Sequence, residues 1–174
     1  HTTASRLSLV LEQIRELVEA KIPVVSSSEE LFFPWVQNPS IAVELDQICK
    51  KHDVAIMGTG VNPGFVMDVL PAIVTQSSLT VEQIRVQRIV NTSTRRPPLQ
   101  KKTGAGLDEH TFRAQVALGK LGHVGLIESL DFLAAFLGFK LTKRAELREP
   151  LLASKAMKTQ AVSIKKGQVC GLHH

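Results

Sequence analysis

The chain has no tyrosine and one tryptophan, and aromatic residues make up only 5% of it. Single-strand binders stack bases on aromatic rings, so this scarcity argues against a nucleic-acid partner despite a formal charge of +5. Cysteine is rare as well. Cys49 and Cys170 are too few for a disulfide framework, and free thiols in a reducing cytoplasm are the expectation. No apolar run approaches the roughly 20 residues of a membrane span. The opening His1-Thr2-Thr3-Ala4-Ser5 lacks the basic start and apolar stretch of a signal peptide. The six histidines form no H-x-x-x-H pair, which argues against zinc, and there is no G-x-S-x-G or phosphate-binding P-loop. What is left is an ordinary globular composition, 44% hydrophobic and 21% charged, in a chain long enough for one sizeable core.

The first third alternates helix and strand signals. Arg6 to Ala20 carries Leu7, Val10, Leu11, Ile14, Leu17 and Val18 at helical spacing. The β-branched run in "IPVVSSS" reads as a buried strand that ends in serines, and Pro39 to His52 as a second helix with proline near its start. "VAIMG" is another short strand. Helix, strand, helix, strand with short connections predicts parallel strands joined by a crossover helix. After Gly64 the pattern changes to an apolar helix over Phe65 to Val74 and an alternating strand, Ile84 to Val90. A basic loop comes next over Asn91 to Gly106, then helices over Asp108 to Leu118 and Val124 to Leu137. A hairpin is expected around Lys165 to Gln168. The fold class is therefore α/β followed by α+β, with the change near Gly58.

"GTGVNPGF", Gly58 to Phe65, comes directly after the second strand and resembles a dinucleotide turn. A fingerprint needs G-x-G-x-x-G and an acid about 20 residues later. Here Pro63 fills the third glycine's place, Gly64 comes one residue late, and the next strand ends at Asn91 without an acid. The bland reading is a tight interdomain turn in which Pro63 opens the next helix and Asn62 caps it. That turn would still lie in the crevice at the carboxyl ends of parallel strands, where ligands bind.

Three segments, "SSSEELFFPW", "GTGVNPGFVMD" and "GHVGLIESL", together resemble the dihydrodipicolinate-reductase-like amine dehydrogenases, a 2,4-diaminopentanoate dehydrogenase-like family. The resemblance covers most of the chain. It implies that residues 1–58 are the second half of a Rossmann parallel sheet, and that residues 59–174 are most of a substrate-binding and oligomerisation domain of the dihydrodipicolinate-reductase type. The glycine fingerprint would then precede His1, and the chain is expected to be part of a longer protein. The implied reaction is reversible NAD(P)-dependent deamination of a small amine or diamino acid to a ketone and ammonia, in a cytoplasmic homodimer or higher homo-oligomer.

Such chemistry needs a carboxylate to hold ammonium or iminium and to move protons. Glu29 and Glu30 lie just beyond the first strand, and either suits the role; alternatively they merely start a helical turn, where acids are favoured. Ser26, Ser27, Gly58, Gly60 and Asn62 are the candidate cofactor contacts at the strand ends, with Asn62 also facing substrate. Phe32, Phe33 and Trp35 would wall a pocket or simply pack. Dihydrodipicolinate reductases carry a histidine pair after the corresponding strand and then a turn that holds the substrate carboxylate. Thr92 and Ser93 stand where the histidines would be, which favours the amine branch; Thr103-Gly104-Ala105-Gly106 keeps the turn. Arg88, Asn91, Thr103, Gly104 and His123 complete the candidate substrate contacts. Arg95, Arg96, Lys101 and Lys102 read equally as an anion clamp or a solvated loop, and His123 as a structural cap or a proton carrier. A dihydrodipicolinate-type reductase and a catalytically silent binding module are the alternatives.

Overall fold

The helix α1, Leu7–Glu19, is organised by one stripe. Leu7, Val10, Ile14 and Val18 recur at three- and four-residue steps and are fully buried against Val24, Leu31 and Leu45. Lys21, in the left-handed conformation at φ 58°, turns the chain into strand β1, Val24–Ser26. A 3-10 turn, Glu29–Leu31, and the short helix α2, Pro34–Gln37, come next. Helix α3, Pro39–His52, starts on a proline whose missing N–H costs nothing there, and ends on Lys50, Lys51 and His52 at the negative end of its dipole. Strand β2, Ile56–Gly58, pairs parallel with β1, Val24 opposite Ile56 and Ser26 opposite Gly58. The expected parallel pair with a helical crossover is therefore present. His1 lies along the other edge of β1, its amino group donating to the Val25 carbonyl at 2.9 Å and its carbonyl accepting from Ser27 N at 3.1 Å.

This computed structural model describes His1 and residues 3–174. Beyond β2 come helices α4, Val69–Thr75, α5, Pro97–Lys102, α6, Glu109–Ala117, and α7, Leu126–Leu137. The last segment holds strands β3, Glu149–Leu152, β4, Met157–Lys158, β5, Ser163–Ile164, and β6, Val169–His173. The chain divides into two compact units, residues 1–88 with 124–144 and residues 89–123 with 145–174. Residues 59–88 thus belong with the first 58 residues and not with residues 89–123. Phe112, Leu121 and Val169 form the core of the second unit.

Five expectations need correction. The apolar helix begins at Val69 instead of Phe65, because residues 62–68 are spent in turns, with Gly64 at φ 120°. Asp68, not Asn62, caps it by accepting from Val69 N. Residues 84–90 form no strand: Arg88 and Ile89 are exposed, and among the described residues no neighbouring segment offers a ladder, so alternation alone does not make a sheet. The basic loop contains α5, where Pro97 and Pro98 preset the backbone of the first turn. Finally, the turn at Lys165 to Gln168 exists, with Gly167 at φ 83°, but its flanking strands part company. β5 pairs with β4, and β6 pairs antiparallel with β3.

Ile14→Ala is expected to cost about 2–5 kcal/mol by leaving a cavity in the α1 stripe, whereas Leu9→Ala, at 66% exposure, stays within about 0.5 kcal/mol. Urea unfolding monitored by circular dichroism measures both.

Candidate active site

α1 begins without help from its own sequence. Arg6 offers no side-chain cap, and the first turn holds no acid. Helix N-termini leave four N–H groups unpaired, and something must satisfy them. Leu9 N donates to the Arg6 carbonyl at 3.1 Å, and Glu30, from beyond β1, takes the first of them: its Oε2 accepts from Leu7 N at 2.8 Å, a charge-assisted bond at the positive end of the helix. The same segment is stitched twice more to the approach of α1, by Glu30 N and by Ser28 Oγ, both donating to the Ser5 carbonyl at 3.1 Å. Ser26 is buried and donates to the His1 carbonyl at 3.0 Å, while Ser27 is exposed. The 3-10 turn is thus a helical start, as the bland alternative held, and its two glutamates part ways. Among the described residues the Glu29 carboxylate has no hydrogen-bond or ion-pair partner, and Glu29 is half-buried.

The glycine turn packs on this segment. A Cβ placed on Gly58 would meet the Leu31 carbonyl carbon at 2.6 Å, and one on Gly60 would meet the Pro63 oxygen at 2.6 Å. Gly64 folds back on Thr59 and Gly60. The third partner is the start of α7. Gly125, at φ 106°, backs onto Pro63 and Glu29: an added Cβ would lie 2.6 Å from Pro63 Cγ and 3.2 Å from Glu29 Cβ. Asp68, fully buried, fastens the arrangement. Its Oδ1 accepts from Val69 N at 2.6 Å, and its Oδ2 accepts from Gly64 N at 2.9 Å and from Ser129 Oγ on α7 at 2.7 Å. A second buried acid on α7, Asp131, bonds Arg144 Nε at 2.5 Å and Gln37 Nε2 at 2.9 Å. Phe32 and Phe33 pack on Phe132 of α7, with ring centroids 5.0 and 5.8 Å away. Two clefts flank the cluster. One of about 890 Å³ holds Phe32, the half-exposed Trp35 and Phe132 beside β2; the other, of about 440 Å³, holds Met67, Leu126 and Leu130. Neither is lined by Glu29 or Asn62.

The remaining expected site residues are spread differently. Arg88 belongs to the first unit, and Asn91, Thr103, Gly104 and His123 to the second. Asn91 Oδ1 accepts from Ser93 N at 3.0 Å, an Asx turn. Thr103 Oγ1 donates to the Gln100 carbonyl at 2.7 Å, and the N–H groups of Thr103, Gly104, Gly106 and Leu107 all donate to protein carbonyls. A Cβ on Gly104 would meet the Phe112 ring at 2.5 Å, so core packing explains that glycine. The start of the next helix is taken by Asp108, which accepts from Thr111 N at 2.9 Å and Thr111 Oγ1 at 2.7 Å; the two bonds hold its carboxyl below the usual range. His123 N donates to His174 Nδ1 at 3.1 Å, and burial lowers the His174 imidazole. Gln100, fully buried, orders the basic segment by donating to the Ser93 and Arg95 carbonyls at 3.1 and 2.7 Å.

Residues 65–174 match the family described as the 2,4-diaminopentanoate dehydrogenase C-terminal domain. The chain belongs to that family. The 2,4-diaminopentanoate dehydrogenase of Acetoanaerobium sticklandii is 35% identical over 162 residues, which are 92% of this chain and 46% of that protein. A solved structure of an amine dehydrogenase from Mycobacterium smegmatis covers 99% of this chain and 51% of its own, with TM-score 0.75 and 24% identity, a likeness of fold. The chain spans about half the length of these relatives.

The three segments that carried the resemblance to the diaminopentanoate dehydrogenase family are therefore the three that meet at Glu29, Pro63 and Gly125. Sequence reasoning missed Asp68, Ser129 and Gly125. Asp68 had a signal, an aspartate directly before the apolar run "VLPAIV". Its contact with Ser129, 61 positions on, had none. Gly125→Ala is expected to lower stability more than Gly138→Ala. Both residues sit at positive φ, which costs a side chain about 1–2 kcal/mol, but only Gly125 is enclosed; a Cβ at Gly138 meets nothing within 4 Å. Differential scanning calorimetry of the two variants checks the order.

Proposed function

We propose that this chain is part of an NAD(P)-dependent dehydrogenase acting on the CH–NH2 group of a small amine or diamino acid, with Glu29 as its acid–base carboxylate. The observation that carries the reading is the division between the two glutamates: Glu30 is spent on the N-terminus of α1, while Glu29 lies unpartnered among the described residues where the turn after β1, the Pro63 turn and the start of α7 converge. Support comes from the relatives named 2,4-diaminopentanoate dehydrogenase and amine dehydrogenase. In this reading residues 1–58 belong to a Rossmann domain and residues 59–174 to the substrate domain of a cytoplasmic homo-oligomer, with residues 59–88 and 124–144 of the substrate domain packed in one compact unit with the first 58.

The nicotinamide, when bound, supplies the hydride acceptor. The glycines of the turn do not fit its pyrophosphate, since Gly58 and Gly60 lie close to protein backbone at Leu31 and Pro63. The nicotinamide end fits better, at the carboxyl ends of parallel β1 and β2, where the exposed Ser27 and the turn residue Asn62 lie. Glu29 moves protons at each stage of the deamination direction. It takes a proton from the substrate ammonium, so that the free amine can release hydride and become an iminium, and it gives that proton up to solvent. As a carboxylate again, it takes a proton from the water that adds to the iminium carbon and returns it to the carbinolamine nitrogen. Finally it takes the carbinolamine hydroxyl proton as the C–N bond breaks, so that ammonia leaves and a ketone remains. A carboxylate without a structural partner is suited to this cycling. The reductase alternative draws less support, because the N–H groups of Thr103, Gly104 and Gly106 that would hold a substrate carboxylate are already paired.

In the full-length protein, Glu29→Gln is expected to reduce kcat for amine-dependent NAD(P)+ reduction by about 100-fold or more. Glu30→Gln is expected to retain most of kcat and to lose about 1 kcal/mol of stability from the weakened α1 cap. Steady-state kinetics with an amine panel, paired with thermal melts, checks both; the reverse pattern would exchange the two roles. Residues 1–174 alone are expected to bind NADPH far more weakly than the full-length protein in fluorescence titration. Equal affinity would sink the assignment of the pyrophosphate site to another part of the protein.

A further inference from the structure

Asp68 and Asp108 are both helix N-caps, and they differ in a way that capping does not explain. Asp108 is exposed and keeps both oxygens within its own first turn, on Thr111. Asp68 is fully buried, and only Oδ1 serves its own helix. Burying a carboxylate is costly unless other groups bond it, and a cap does not require burial. Oδ2 supplies the reason. It accepts from Gly64 N, the residue after Pro63, and from Ser129 Oγ, whose own N–H donates to the Gly125 carbonyl at 3.0 Å. One oxygen therefore holds both sides of the Pro63–Gly125 contact, and Glu29 Cβ rests on Gly125.

We infer that Asp68 is a positioning residue: through Gly64 and Ser129 it fixes the Pro63 turn against α7 and so sets where the Glu29 carboxylate stands relative to substrate. The inference rests on the reading of Glu29 as the acid–base group. Asp68 touches neither substrate nor cofactor; it acts by removing slack. Productive geometry tolerates little error, and a displacement of about 1 Å far from the chemistry can cost ~100-fold in rate.

The test uses the full-length protein and two variants, Ser129→Ala, which removes one bond and leaves the carboxylate in place, and Asp68→Asn, which weakens all three. Amide hydrogen exchange over residues 60–66, read by mass spectrometry without substrate, is expected to accelerate ~10-fold or more in each variant. With an accepted amine, kcat is expected to fall ~10-fold or more, with KM for the amine and Kd for NADPH within about twofold of wild type. Should Asp68→Asn fail to fold, Ser129→Ala still decides. Wild-type exchange in Ser129→Ala, or faster exchange with kcat unchanged, overturns the inference, as does a loss confined to KM. A wild-type protein that turns over no amine refutes the dehydrogenase reading instead, and the positioning role of Asp68 toward Glu29 falls with it. In that case exchange still reports whether the Asp68 tie to the turn exists.

Discussion

The unpaired N–H groups at the start of α1 are the constraint on which the first unit depends. Arg6 supplies its carbonyl to Leu9 N but no side-chain cap, and the helix is too important to leave frayed, because its buried stripe is most of the local core. Glu30 solves this from 23 positions away, and the solution fixes more than a helix. It pins the 3-10 turn to the approach of α1, and Ser28 and Glu30 N add two bonds to the Ser5 carbonyl. Once that turn is fixed, the end of β1, the backbone under Gly58 and the place of Glu29 are fixed with it.

Glycine serves close approach here, between protein and protein. A phosphate-binding turn keeps its glycines bare toward solvent so that a ligand can come near the backbone. In "GTGVNPGF" the space beside Gly58 is filled by Leu31 backbone, that beside Gly60 by the Pro63 carbonyl and that beside Gly64 by Thr59 and Gly60. The shifted spacing therefore has a physical meaning. It lets β2 turn sharply enough for Pro63 to reach Gly125, and the helix that a fingerprint would start at once is delayed until Val69.

Features governed by nearby residues were legible in the sequence, and features governed by distant partners were not. α1 and α3 announce themselves through apolar spacing and a leading proline, and the structure places them within a residue of expectation. The parallel β1–β2 pair is the natural outcome of a helix between two short buried runs. Residues 84–90 have the alternation of a strand, but a strand needs a neighbour, and none of the described residues pairs with them. The turn at Lys165 to Gln168 was visible for the same local reason as α1, while the partners of β5 and β6 depend on β4 and β3, which carry no readable pairing signal. At the candidate site, the position of Glu29 and Glu30 beyond β1 was readable and their difference was not, since it turns on the N–H of Leu7.

Local geometry explains why two adjacent acids can hold different roles. A 3-10 turn advances about 120° per residue, so consecutive side chains leave it in well-separated directions. Glu30 points to α1, and Glu29 has its Cβ against Gly125 at the start of α7. Had the segment continued as a strand, the two would have faced opposite sides of a sheet, and one would have been lost from the cluster. Had it been an exposed loop, neither would have been held. The short helical turn lets one glutamate anchor the backbone while its neighbour in the same segment stays unpaired among the described residues. An acid–base group needs both properties at once: a fixed position and an uncommitted carboxylate.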